Sequence, residues 1–222
     1  MKKILTISLL SLLLTSLENV NFKTYAQANN NIIHTVPSID YANLQEGDII
    51  FQNAPSHQSE GVQLATNSFY SHCGILYKEG NKFYVFEAVD PVSTRPLESW
   101  IAAGEKQHYV IKRLHNASEV ITPSVLTKMR QVAATMEGKK YDWSFEWDDT
   151  RIYCSELVWK LYERGANIEL CPVKTYAQLN LEHPKVQKLL KERHGDNIPL
   201  EEKIVSPQDL FASPLLITVQ TQ

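Results

Sequence analysis

Two strand-like runs, Ser71 to Tyr77 and Phe83 to Val89, are joined by Lys78-Glu79-Gly80-Asn81-Lys82, and this pair constrains the fold most. Both runs read as strands, and the connector carries hairpin-turn chemistry, so an antiparallel pair is expected. A loop centred on Glu79-Gly80 sets Tyr77 opposite Lys82 and His72 opposite Glu87. Centred on Gly80-Asn81, it makes Glu87 a diagonal neighbour of His72. Both registers leave the two side chains on one face, because side-chain direction repeats every two residues. Phe83, Val85 and Val89 alternate with Glu87, so that face reads as buried. A carboxylate there wants a partner, and opposed side chains stand about 4.5–5.5 Å apart at Cβ, close enough for the His72 imidazole. A His–Glu pair that only braces the sheet fits the same pattern, as does a Glu87 side chain that escapes to solvent.

A second feature follows later in the chain. Cys154 opens a segment to Arg164 with Leu157, Val158, Leu161 and Tyr162 at helical spacing, ended by Gly165. Free amides and the positive dipole end at a helix start stabilise a thiolate over a thiol, and the same amides can donate to an oxyanion. Cys154 and Ser155 would supply such N–H groups, with Tyr153 as a third candidate donor. A small buried residue on an apolar stripe is the bland alternative for Cys154. An imidazole oriented by an acid, together with a thiol at a helix start, is the nucleophile–base–orienter set of acyl-transfer chemistry. Cys73 adjoins His72 and is expected to point to the opposite face, into packing. Cys171 precedes Pro172 in a loop.

Between these features, Thr122-Pro123 caps a helix carrying Val125, Met129, Val132 and Met136, closed by Gly138. Short helices are expected near Ser59 to Asn67, Pro96 to Ala103 and Pro184 to Arg193, with strands over Gly47 to Gln52 and His108 to Leu114. Ile198 to Val219 reads as mostly irregular, with short extended pieces. Strands first and helices mixed in later predict an α+β domain with an antiparallel sheet. Tyr141, Trp143 and Trp147 lie in an aromatic, acidic run before the Cys154 helix, as candidate substrate-binding residues or a solvated loop. Asp48 is a candidate second acid near the site or a strand-entry residue.

With 222 residues, 43% of them apolar, the chain can bury a real core. Its net charge of -3 gives no support to nucleic-acid binding. Met1-Lys2-Lys3, the apolar run Ile4 to Leu14 and Ala26-Gln27-Ala28 read as a secretory leader over residues 1–28. No Cys follows the apolar run, so a lipoprotein anchor is not expected. A lead-in over 29–44 and a domain over 45–222 complete the organisation. An exported chain, periplasmic or secreted, with no transmembrane segment after processing is the expectation; an uncleaved anchor is the alternative. Three cysteines cannot all pair within one chain. There is no Gly-x-Ser-x-Gly, His-Glu-x-x-His, Cys-x-x-Cys or phosphate-binding glycine motif, so neither metal nor cofactor is expected.

The segments GDIIFQ at 47–52, QLATNSFYSHCGILY at 63–77, YVFEAVDPV at 84–92 and PLESWIA at 96–102 together resemble the YiiX-type (YiiX/YebB-like) family of permuted papain-like amidases in the NlpC superfamily. The likeness continues through YVIKRL at 109–114, YDWSFEWDDTRIYCSELVWK at 141–160 and NIPLEEKIVSPQDLF at 197–211. The resemblance implies a circularly permuted papain-like fold with the histidine and acid before the cysteine, which agrees with the order His72, Glu87, Cys154. It implies a Cys–His–acid site at those three positions and amide hydrolysis as the reaction class. The substrate stays open between small peptide, amino-acid and lipid amides. A lipid acyltransferase or deacylase, or a silent envelope-binding module, remain alternatives.

Overall fold

In the computed structural model, which describes residues 39–222, the first strand is β1 (Ile49–Gln52), buried along its whole length. The leader and most of the lead-in expected from the sequence lie outside the described residues. Helix α1 (His57–Thr66) is opened by Ser56, which accepts from the Ser59 amide, and closed by Asn67 in the left-handed conformation. The hairpin follows as β2 (His72–Glu79) and β3 (Lys82–Glu87), and then come β4 (Ser93–Pro96), α2 (Leu97–Ala103) and β5 (Tyr109–Leu114). Next are α3 (Ala117–Val120), α4 (Pro123–Met136), β6 (Lys140–Tyr141), β7 (Arg151–Ile152) and α5 (Cys154–Ala166). The chain closes with β8 (Lys174–Thr175), α6 (Pro184–His194), β9 (Lys203–Ile204), α7 (Pro207–Phe211) and β10 (Leu216–Thr221).

Six strands form one antiparallel sheet in the order β10-β5-β1-β2-β3-β4. The expected α+β class with an antiparallel sheet is therefore what the chain adopts. In the hairpin, Tyr77 pairs with Tyr84 and Lys78 with Phe83, so the loop is Gly80-Asn81. Gly80, at φ 58°, takes the first loop position, where a two-residue turn places glycine to reach positive φ without a Cβ clash. Both faces of the sheet are covered. On one, Ile50, Leu76 and Val85 pack with Trp100 of α2 and Tyr109. On the other, Ile49, Phe51, Cys73 and Ile75 pack with Leu157, Val158 and Leu161 of α5 and with Met129 and Met136 of α4.

Two expectations need correction. Gly165 does not end α5; it lies inside the helix, and Asn167 in the left-handed conformation is the C-cap. A Cβ at Gly165 would stand 2.5 Å from Met129 Cγ and 2.8 Å from Met129 Cα, so this glycine lets α4 and α5 approach closely. The segment from Ile198 onward is also more regular than its sequence predicts. It supplies α7 and the edge strand β10, which pairs with β5 across a bulge between Thr218 and Gln220. Only Leu216 of β10 is buried, so its pairing rests on backbone hydrogen bonds and leaves little apolar pattern to read. No helix among the described residues is long and apolar enough to cross a membrane.

Candidate active site

Three elements meet where β1 ends. His72 begins β2, paired with Gln52 at the end of β1, and Glu87 is the last residue of β3. Carried one step past the Ile75–Phe86 pair, the register puts Gly74 opposite Glu87. Gly74 offers no side chain there, and the carboxylate reaches diagonally to the imidazole, with His72 Nε2 and Glu87 Oε2 2.6 Å apart. Of the two registers open to the sequence, the diagonal one is adopted. Glu87 is only 1% exposed. Its Oε2 also accepts from Trp100 Nε1 at 2.8 Å, and Arg95 Nε stands 3.1 Å from Oε1. Burial pushes the carboxyl up, but His72, Arg95 and Trp100 together hold it below its ordinary value. The imidazole lies over the Trp100 indole at 5.7 Å between ring centroids. Burial works against its proton as well, yet hydrogen bonds and charge from Cys154 and Glu87 outweigh this and raise its pKa to about 10.

Cys154 is the first residue of α5, with Tyr153 at the N-cap, and it is 4% exposed. The Cys73 thiol and the His72 imidazole are the neighbours that act on its thiol. Since Nε2 of His72 is committed to Glu87, Nδ1 is the ring nitrogen left for the thiol. The Cys73 hydrogen bond first, and then His72, outweigh burial and hold the Cys154 thiol well below its ordinary pKa. Cys73 does point away from His72, as alternation requires. That face carries α5, however, so Cys73 meets Cys154 and is no inert packing residue. Cys171 is a separate buried thiol, pushed up to about 12 mainly by burial. All three cysteines are free, so Cys73 and Cys171 are not paired.

The other sequence candidates divide. The amides of Cys154 and Ser155 belong to the first turn and have no intrahelical acceptor, while the Ser155 hydroxyl donates to the Val205 carbonyl at 2.8 Å. Tyr153 is a packing residue. Its amide donates to Glu156 Oε2, its hydroxyl accepts from the Val205 amide at 3.2 Å, and its ring meets Phe145 edge-on. Asp48 is bound bidentately by Arg113, at 2.6 and 2.7 Å, at the other end of β1 from His72. It is a buried structural acid and borders neither cavity described below. Trp147 packs on Trp159 beneath Lys160 and likewise borders neither cavity. Tyr141 and Trp143, at 4.8 Å from each other, do border the site. Trp100 and Arg95 were not singled out from sequence. Their only sign there is position, in the strand and helix that follow the Glu87 strand.

Two cavities meet here. One, about 600 Å³ of space partly open to solvent, is mostly apolar; Cys154, Phe145, Tyr153, Tyr176, Leu190 and Arg193 are among its walls. The other, about 840 Å³ and more open, has a lining divided about equally between polar and apolar surface and is bordered by His72, Glu87, Gln52, Arg95 and Trp143. Ser71 and Tyr141 border both.

A family model described as permuted papain-like amidase enzyme, YaeF/YiiX, C92 family matches residues 43–220. A protein of Escherichia coli (strain K12) called uncharacterized protein YiiX is 48% identical over 175 residues, which span 79% of this chain and 85% of that one. The crystal structure of metalloprotein yiiX from Escherichia coli O157:H7 has a TM-score of 0.77 at 47% identity, covering 81% of this chain and 98% of its own.

Proposed function

The chain belongs to the family of permuted papain-like amidases, YaeF/YiiX, C92, and is a cysteine amidase at that level; from that premise we propose that it cleaves an amide through a thioester on Cys154. What carries this reading is the His72 imidazole, 2.6 Å from the buried Glu87 carboxylate on one side and acting on the lowered Cys154 thiol on the other. The Cys154 thiolate attacks the amide carbon, and the carbonyl electron pair moves to oxygen. The amides of Cys154 and Ser155 stabilise that oxyanion. When it collapses, the C–N bond breaks and His72 gives its proton to the leaving nitrogen. Water then loses a proton to His72 and attacks the thioester; the C–S bond breaks and a carboxylic acid leaves. Glu87 keeps the ring oriented and its charge compensated throughout.

One relative is described as a metalloprotein. Among the described residues of this chain, no group of three or more His, Cys, Asp or Glu is placed to hold a metal ion. These residues do not fit a metal centre, and each step above is assigned to side chains and backbone. The substrate is a small peptide, amino-acid or lipid amide. Export to the periplasm or medium is proposed on the leader pattern of residues 1–28, with N-terminal sequencing of the processed protein as its test. Cys154→Ala is expected to reduce amide turnover to background while circular dichroism and the unfolding midpoint stay at wild-type values. Turnover retained in that variant overturns the mechanism.

A further inference from the structure

The helix that carries Cys154 also carries a buried pair of charges that takes no part in the steps above. Glu156 and Lys160, one turn apart on α5, are 0% and 2% exposed, with Lys160 Nζ 2.6 Å from Glu156 Oε1. Removing two charges from water is costly, and their attraction alone seldom offsets it. Lys160 Nζ also donates to the Asp148 carbonyl at 2.5 Å and stands 3.0 Å from Asp149 Oδ1, over the Trp147 ring at 5.0 Å. The acidic, aromatic run before α5 is thereby tied to the helix. The second oxygen of Glu156 turns back to the helix start, where Oε2 accepts from the Tyr153 amide at 3.3 Å. An N-cap is most often Ser, Thr, Asp or Asn, whose side chain takes the amide of the second or third helical residue. In α5 those amides belong to Ser155 and Glu156. Tyr153 stands at the N-cap instead, without a side-chain cap bond, and its hydroxyl accepts from the Val205 amide at 3.2 Å. The start of α5 is held without using the Cys154 and Ser155 amides.

We propose that Glu156 is a positioning residue of the reaction: braced by Lys160, it anchors the Tyr153 amide and so fixes the first turn of α5 with the Cys154 and Ser155 amides free for the oxyanion. This rests on the thioester reading, in which those two amides carry the developing charge. Glu156 acts through the backbone and has no part in bond breaking. Burial pushes its carboxyl up, and the Lys160 ammonium pulls it back. Lys160 thus favours the charged form, which accepts an N–H more strongly than the acid does. A negative group in the first turn also suits the helix dipole, and Lys160 balances its charge.

The test compares Glu156→Gln with Glu156→Met in the full-length protein. Both lose the charge and nearly keep the size, and Lys160 retains Asp149 and the Asp148 carbonyl in each. Only Gln keeps an oxygen for the Tyr153 amide. Two reactions of Cys154 are timed at one pH and followed by mass spectrometry of its peptide. Acylation by p-nitrophenyl acetate passes through an oxyanion; alkylation by iodoacetamide does not. Glu156→Met should acylate about tenfold to a hundredfold more slowly than wild type, as a misplacement of about 1 Å allows. Glu156→Gln should stay near the wild-type rate, and alkylation should be equal in all three. A prop that serves stability alone would lower the unfolding midpoint and leave the ratio of the two rates untouched. Glu156→Met combined with Lys160→Met replaces the whole pair by apolar side chains, a change that often leaves stability equal or higher. That variant should show the same slow acylation in a folded protein. Equal acylation by Glu156→Gln and Glu156→Met overturns the inference. So does wild-type acylation in the double variant, or a loss of alkylation that matches the loss of acylation. The thioester reading fails by a different sign: no acyl group on Cys154 in the wild-type protein.

Discussion

Two neighbours of different chemistry act on the Cys154 sulfur, and their contributions can be separated. His72 supplies positive charge and, on the proposed chemistry, a proton for the leaving group; the Cys73 thiol acts from the sheet face beneath α5. Because the Cys154 pKa is lowered, the thiolate persists below the ordinary thiol value of about 8.5 and disappears only toward acid pH. Iodoacetamide labelling of Cys154 should thus have a midpoint well below that of a free thiol. His72→Ala and Cys73→Ala should each move the midpoint upward, as read by peptide mass spectrometry across pH. An unchanged midpoint in Cys73→Ala would remove Cys73 from the account. The His72 pKa is raised to about 10, so the proton needed by the leaving amine is present below that pH and lost above it. The pH profile of kcat/KM should therefore rise on the acid side with the thiolate and fall near pH 10. Glu87→Gln removes the negative charge that helps hold the proton, which shifts the alkaline limb to lower pH. The placing of Cys154 at a helix start and of His72 and Glu87 on one strand face was legible because each follows from a local pattern. The role of Cys73 was not, because alternation gives the face on which a side chain lies but not the helix that covers that face.

Among the elements, the hairpin and the helix pair show what local chemistry does and does not determine. The sequence left two registers open. The conformational demand of the turn chooses between them, since Gly80 occupies the one loop position with positive φ, and the diagonal His72–Glu87 contact follows. The start of α4 was equally readable, with Thr122 accepting from the Val125 amide and Pro123 in the first turn. Gly165 misled because a glycine near the end of an apolar stripe resembles a helix stop. Its actual role depends on Met129, more than thirty residues earlier, which no local pattern reveals. Gly165→Ala should force α4 and α5 apart and destabilise the protein by about 1–3 kcal/mol. The expected reading is a lower urea midpoint with an unchanged denaturant slope. A midpoint within error of wild type would show that Met129 yields easily. If the paired helices also set the depth of Cys154 against β2, the same variant should label more slowly with iodoacetamide.

For the whole molecule, a single sheet carries His72 and Glu87 while a helix on one of its faces carries Cys154. The class and the antiparallel sheet could be read from the order of strand-like and helical patterns. The far edge could not, because β10 has one buried residue and its pairing with β5 is a backbone matter. Removing residues after Ser213 should strip that edge. β5 would then present unpaired N–H and C=O groups, and the truncated chain should elute as larger species in size-exclusion chromatography. A truncated chain that stays monomeric with a wild-type unfolding midpoint would make β10 an ornament. A further consequence follows from the two cavities that touch at Ser71 and Tyr141. On the proposed chemistry, the departing amine and the incoming water share the entrance that His72 borders, while the acyl group stays tethered to sulfur. The fate of the tethered acyl group is then decided by a queue at one doorway: water in that place makes the protein a hydrolase, and an amine or alcohol in the same place makes it a transferase.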